Sequence, residues 1–368
     1  MTARVTTPAA LTALTGNRLN LLLLAAPASW WLFATSPESP WVFITAATSL
    51  IPLAGLIGLA TEQIASRVGP TFGGLLNATF GNAAELIIAG VALNKGHVEL
   101  VKASITGSII GNLLLVLGLA FFVGGIGRRS QTFNRTSATN ATAMLFLAVV
   151  ALVMPAVFDL ALYGNLAARP PAIHALSIWT AVVLIGAYAG SVIYSFTAHR
   201  DLLRSSEQGR RGEQLLTMPS AMGLLGVATV LTAAQAEVLV SAMQPALVRF
   251  GFTELFVGVI VIAVIGNAAE HYSAITAARR DHMTLSVEIS VGSSAQIALL
   301  VAPAIVLYSY ALGQPMTLLF NAFEITAITL SVLATVIVVV DGESNWVEGL
   351  QLVSVYVILA LAFYLIPA

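Results

Sequence analysis

Long apolar runs alternate with short polar connections along almost the whole chain. Runs of roughly 20 residues are long enough to cross a hydrocarbon core as helices. The pattern predicts such helices at 19–36, 41–62, 70–93, 98–123, 138–158, 172–198, 218–243, 251–278, 284–311, 317–340 and 346–366. The expected fold is an all-α integral membrane protein with about 11 transmembrane helices. One connection stands apart. From His199 to Thr217 the chain is polar, and Arg204 to Glu213 reads as a solvated linker near mid-chain.

Two segments match without a gap at a shift of 185 residues, from position 81 to position 266. Gly81-Asn-Ala-Ala-Glu85 recurs as Gly266-Asn-Ala-Ala-Glu270, and Gly73, His97 and Gly107-Ser108 match Gly258, His282 and Gly292-Ser293. Such internal similarity decides an architecture. The shift carries the second span onto the seventh, so each unit has five spans. An odd number of crossings makes the second unit enter from the opposite side, which predicts inverted repeats with binding sites near the midplane. The expected organisation is an extra N-terminal helix over residues 1–36, a first five-helix repeat over 37–200, a cytoplasmic linker over 201–217, and a second five-helix repeat over 218–368.

Composition narrows the function classes. Of 368 residues, 58% are hydrophobic and 9% charged, whereas soluble domains carry roughly a quarter charged residues. That leaves no room for a separate soluble domain. A net charge of -1 gives no sign of a nucleic-acid partner, and zero cysteines exclude disulfides, zinc thiolates and thiol catalysis. Twelve of the 16 lysines and arginines fall in loops on the N-terminal side. The positive-inside rule then predicts a cytoplasmic N-terminus and an outer C-terminus.

Ionisable groups in mid-membrane are costly and usually mark a pathway. Glu85 falls about two-thirds along the third span and Glu270 at the matching place in the eighth. Asn82 and Asn267 each precede their glutamate by three residues, which places the pair on one helical face. The following spans offer Ser108 with Asn112, and Ser293 with Gln296. All these side chains bear oxygen, and calcium takes about six to eight oxygen ligands in flexible geometry. Low dielectric penalises an uncompensated charge, so each glutamate is expected to hold a proton when no cation is present. Two carboxylates that trade two protons for one divalent ion stay near neutral throughout.

At these motifs the chain resembles the calcium/proton antiporters of the cation-exchanger family. Gly73-Gly-Leu-Leu-Asn-Ala-Thr-Phe-Gly-Asn-Ala-Ala-Glu-Leu-Ile87 is similar to the family's first signature. Gly266-Asn-Ala-Ala-Glu-His271 with Val291-Gly-Ser-Ser-Ala-Gln-Ile-Ala-Leu299 is similar to the second. The resemblance runs from about residue 40 to the end. It implies that Glu85 and Glu270 carry calcium and protons in turn, and that Asn82, Asn267, Ser108, Asn112, Ser293 and Gln296 line the path. It also implies eleven helices arranged as one plus five plus five. One departure is the central linker, which holds three arginines against two glutamates where family members usually carry an acidic segment. Without the long N-terminal tail of many eukaryotic members, a prokaryotic plasma membrane is the expected location.

The expected substrates are Ca2+ and H+, with no cofactor; the bilayer is the expected partner, and a homo-oligomer stays open. His271, next to Glu270, and Glu237, inside the seventh span, are candidates for gating or proton relay. Glu62, Glu288 and Glu324 are nearer helix ends and are expected as solvated entrance residues, and His97 and His282 as interfacial ones. The rival readings are a sodium/calcium exchanger and a cation channel. An enzyme is not expected, because no nucleophile–base set is visible.

Overall fold

The computed structural model describes residues 18–68, 73, 76, 79–164, 171–198 and 216–367. The expected linker lies outside the described residues except for Leu216 and Thr217, as does much of the first half of the third predicted span. The helices are α1 (Leu19–Thr35), α2 (Pro40–Val68), α3 (Ala83–Asn94), α4 (Val98–Gly125), α5 (Arg135–Tyr163), α6 (Pro171–Ala198) and α7 (Met218–Ser241). They continue as α8 (Met243–Phe250), α9 (Glu254–Gly266), α10 (Ala268–Arg279), α11 (Met283–Ala311), α12 (Ala322–Val339) and α13 (Trp346–Leu365). A single two-stranded ladder among the described residues pairs β1 (Gln131–Thr132) with β2 (Glu343–Ser344).

Eight of these helices are long and apolar enough to cross a membrane, or nine if α8 and α9 count as one span. α1 and α3 are shorter apolar helices. The third and eighth spans, predicted as continuous, are interrupted at Gly81-Asn82 and at Asn267. Glycine and asparagine are both poor helix formers, and two adjacent ones let the chain leave the helical path. Irregular backbone at membrane depth is tolerated only where protein or a polar cavity surrounds it.

The chain divides into two compact units. The first comprises Met1–Val91 and Ser195–Phe250. In it α2 packs along α7, and Leu56, Ile57, Ala83 and Ala228 form a buried cluster with Ile87 against it. The start of α3 is thereby seated on both long helices. The Ser29 hydroxyl donates to Gln235 Oε1 at 2.9 Å, tying α1 to α7. At the start of α7, Leu216 N–H donates to Gln63 Oε1 at 3.3 Å and Arg67 donates to the Leu216 carbonyl.

The second unit comprises Ala92–Tyr194 and Gly251–Ala368. Here α4 crosses α9 with almost no side-chain spacing. A Cβ on Gly107 would overlap the Val259 carbonyl, and one on Gly258 would overlap Ala103. Small residues permit this close approach where lipid supplies no hydrophobic drive between helices. Gly107→Ala is expected to destabilise the protein by about 1–3 kcal/mol, the usual cost of overpacking. A lowered unfolding temperature of the detergent-solubilised variant is the check.

Among the described residues, three π-helical turns interrupt the helices of this unit, at Gly111–Val116, Val257–Ile262 and Ile297–Val301. Such turns widen a helix locally and recur at functional sites. The first begins beside Asn112 and the last follows Gln296. At one end of the unit, the ladder joins the loop after α4 to the loop between α12 and α13, with Phe133 N–H donating to the Gly342 carbonyl at 2.9 Å.

Candidate functional site

Each predicted glutamate stands in the first turn of a short helix, Glu85 in α3 and Glu270 in α10. Helix starts carry partial positive charge from unsatisfied N–H groups, so a carboxylate is stabilised there. The break before each helix therefore places the acid and also softens its charge. Asn82, in the turn before α3, is fully buried, and Glu85 is half-buried; both belong to the first unit.

In the second unit five of the expected residues form one unbroken hydrogen-bonded chain. The Asn267 amide donates to Ser108 Oγ at 2.8 Å and to the Ala263 carbonyl at 2.9 Å. Asn112 Nδ2 donates to Asn267 Oδ1 and to Ser293 Oγ, both at 3.2 Å. The Ser293 hydroxyl donates to Glu270 Oε2 at 2.5 Å. Ser108, Asn112, Asn267 and Ser293 are all buried, and Glu270 is half-buried.

Every amide in this chain has its orientation set by a neighbour, which is how a polar cluster in low dielectric stays ordered. One atom is left over. Asn112 Oδ1 is buried and has no hydrogen-bond partner among the described residues. A buried acceptor without a donor costs about 1–3 kcal/mol, and a cation would recover that cost. Among the described residues no three His, Cys, Asp or Glu side chains come together. Glu270 and the amide and hydroxyl oxygens bonded along this chain make an all-oxygen set, the kind that suits a hard cation.

The remaining candidates fall elsewhere. Gln296 is half-buried one turn beyond Ser293 on α11, and His271 is half-buried directly after Glu270. Glu237 lies on an exposed face of α7 in the first unit. His97 Nδ1 sits 3.0 Å from Glu254 Oε1, away from the network.

Glu324 departs from its expected place as a solvated entrance residue. It is 1% exposed, accepts from Thr106 Oγ1 at 3.1 Å, and accepts from Asn321 N–H at 3.0 Å in a capping box. The spacing Asn321-x-x-Glu324 signals that box, but not its burial against α4. Lys102, also buried, donates to Glu99 Oε1 and to the Leu319 carbonyl, each at 3.1 Å. Asp159, fully buried on α5 with neither oxygen partnered among the described residues, carried no sequence signal beyond its place in an apolar run.

Against known families, the chain matches the model of the sodium/calcium exchanger protein over residues 38–197 and 220–365. It is 42% identical over 363 residues to a Ca(2+)/H(+) antiporter of Synechocystis sp., covering 94% of this chain and 97% of the relative. It is 39% identical over 358 residues to the Ca(2+)/H(+) antiporter ChaA of Bacillus subtilis, covering 95% and 100%. Among solved structures, native YfkE superposes with a TM-score of 0.82 at 37% identity, covering 95% of this chain and all of that one. The H+/Ca2+ exchanger CAX superposes with a TM-score of 0.67 at 15% identity, covering 95% and 92%, a likeness of fold alone.

Proposed function

The chain belongs to the sodium/calcium exchanger protein family, and on that premise we propose that it is a secondary active transporter exchanging Ca2+ for H+ by alternating access. Calcium leaves the cytoplasm as protons enter. The observation that carries this reading is the hydrogen-bonded chain from Ser108 through Asn267, Asn112 and Ser293 to Glu270. It holds a carboxylate and a buried spare carbonyl oxygen in one ordered cluster.

Glu85 and Glu270 are the proposed carriers. In the proposed cycle each takes up a proton as calcium leaves, which keeps the total charge of the site nearly constant. A dehydrating Ca2+ displaces both protons, and its charge replaces theirs. The loaded and unloaded sites are then both close to neutral, which lowers the cost of carrying either through the membrane. Asn82, Ser108, Asn112, Asn267, Ser293 and Gln296 supply neutral oxygens, while His271 and Glu237 act as relay or gate. Glu270 gives up its proton beside the Ser293 hydroxyl, which remains its hydrogen-bond donor after ionisation.

The proposed frame is one extra helix followed by two inverted five-helix repeats, with the N-terminus in the cytoplasm and the C-terminus outside a prokaryotic plasma membrane. The excess of arginine in the N-terminal-side loops supports that orientation. Calcium uptake into everted membrane vesicles under an imposed pH gradient tests the reading. Uptake should saturate with calcium, collapse with a protonophore, and show no response to a sodium gradient. Sodium-driven uptake would favour the sodium/calcium exchanger instead, and large unsaturable currents a channel.

A further inference from the structure

Away from the network, a cavity of about 110 Å³ opens between α5 and α11 at the end of the second unit that carries the β1–β2 ladder. Its lining includes Asn134, Ser137, Ala141, Thr284, Glu288 and Gly292. The rim is built rather than loose. Asn134 caps α5 by accepting from Ser137 N–H at 3.0 Å, and its own N–H donates to Thr284 Oγ1 at 3.1 Å. The Ser137 hydroxyl donates to Glu288 Oε1 at 3.0 Å, which aims the carboxylate from α11 toward α5.

Glu288, Gly292 and Gln296 follow at four-residue spacing, so they share one face of α11. All three are half-buried, whereas Val287, Val291 and Ala295 beside them are buried. A Cβ built on Gly292 meets no atom within 4 Å. Gly292 therefore leaves free space on this face between Glu288 and Gln296, which stand about 12 Å apart at 1.5 Å per residue. Space of this size accommodates several waters, and an acid set in low-dielectric walls concentrates cations.

We propose that Glu288 and its cavity form an antechamber that captures a partly hydrated divalent cation and passes it along the Gly292 stripe toward Gln296. This rests on the exchange function above and adds to it a loading site outside the core network. Ser137 orients the carboxylate, and the missing side chain at Gly292 keeps the route open.

The test uses the full-length chain in everted vesicles at low ionic strength. Glu288→Gln should raise the KM for Ca2+ roughly ten-fold, as expected for losing a focusing charge, with a much smaller change in maximal rate. Glu288→Asp should recover most of the affinity. Gly292→Leu should instead lower the maximal rate several-fold, because its side chain fills the route. If Glu288 serves only to hold the start of α5 through Ser137, Glu288→Gln will lower thermal stability without moving KM, and the antechamber is overturned. If Glu288→Gln does not reach the membrane, Gly292→Leu decides alone, and a wild-type rate overturns the proposal. Wild-type vesicles without pH-driven uptake would remove the exchange function and the antechamber with it. Normal wild-type uptake beside an unchanged KM in Glu288→Gln removes the antechamber only.

Discussion

Glu270→Gln is expected to cut pH-driven calcium uptake by at least about 100-fold, since breaking a buried charge interaction costs about 3 kcal/mol or more and each 1.4 kcal/mol is about ten-fold. Glutamine keeps the length and shape of the side chain, and its carbonyl can still accept from Ser293. The bonds from Asn112 to Ser293 and from Asn267 to Ser108 do not involve Glu270. Folding should therefore survive, with an unfolding temperature near that of the wild type. What is lost is the charge that Ca2+ needs and the proton that the carboxyl exchanges. Glu85→Gln asks the same question of the first unit and should fail to the same degree. Initial rates of uptake, normalised to the amount of protein in the vesicles, are the measurement. Retention of more than a tenth of the wild-type rate in either variant would take that glutamate out of the carrier role.

The second large effect is expected at Asn112. Its amide alone bridges the two halves of the hydrogen-bonded chain, donating to Asn267 on one side and Ser293 on the other. Asn112→Ala removes both bonds and the spare carbonyl oxygen together. Residues that orient ligands typically matter by about 10–100-fold in metal affinity, and Asn112 is placed both to orient and to bind. The apparent affinity for Ca2+ should fall within that range. Asn112→Asp separates the two roles, because the acid keeps acceptor oxygens but cannot donate to Asn267 or Ser293. If orientation dominates, Asn112→Asp will be as impaired as Asn112→Ala; if ligation dominates, it will bind calcium better than Asn112→Ala. Wild-type affinity in Asn112→Ala would show that the chain of bonds is not part of the transport site.

Much of the candidate site was legible before any coordinates. The repeated Gly-Asn-Ala-Ala-Glu segments singled out Glu85 and Glu270 together with Asn82 and Asn267, and the serines and amides of the following spans supplied the other oxygens. Five of those eight residues meet in one network. The helix breaks were less legible, although Gly81-Asn82 and Gly266-Asn267 are visible interruptions in apolar runs. Hydropathy sums over a window, so two polar or flexible residues inside twenty apolar ones barely lower it. Glu324 shows the opposite limit: the capping spacing is local and readable, but its burial against Thr106 joins positions 218 residues apart.

That the chain is built of apolar helices, and roughly where most of them run, was legible in sequence alone, because a backbone in lipid must satisfy its hydrogen bonds within the segment and apolar run length decides where that happens. The sequence also singled out the candidate acids, since a carboxylate inside such a run is rarely incidental. Which polar atoms touch was decided only by tertiary structure. Ser108 and Asn267 stand 159 positions apart, and Asn112 and Ser293 stand 181 apart. Ser108 and Asn267 meet where glycines at 107 and 258 let α4 and α9 pack backbone to backbone, a closeness that depends on the crossing of two helices and leaves no trace in either one read alone.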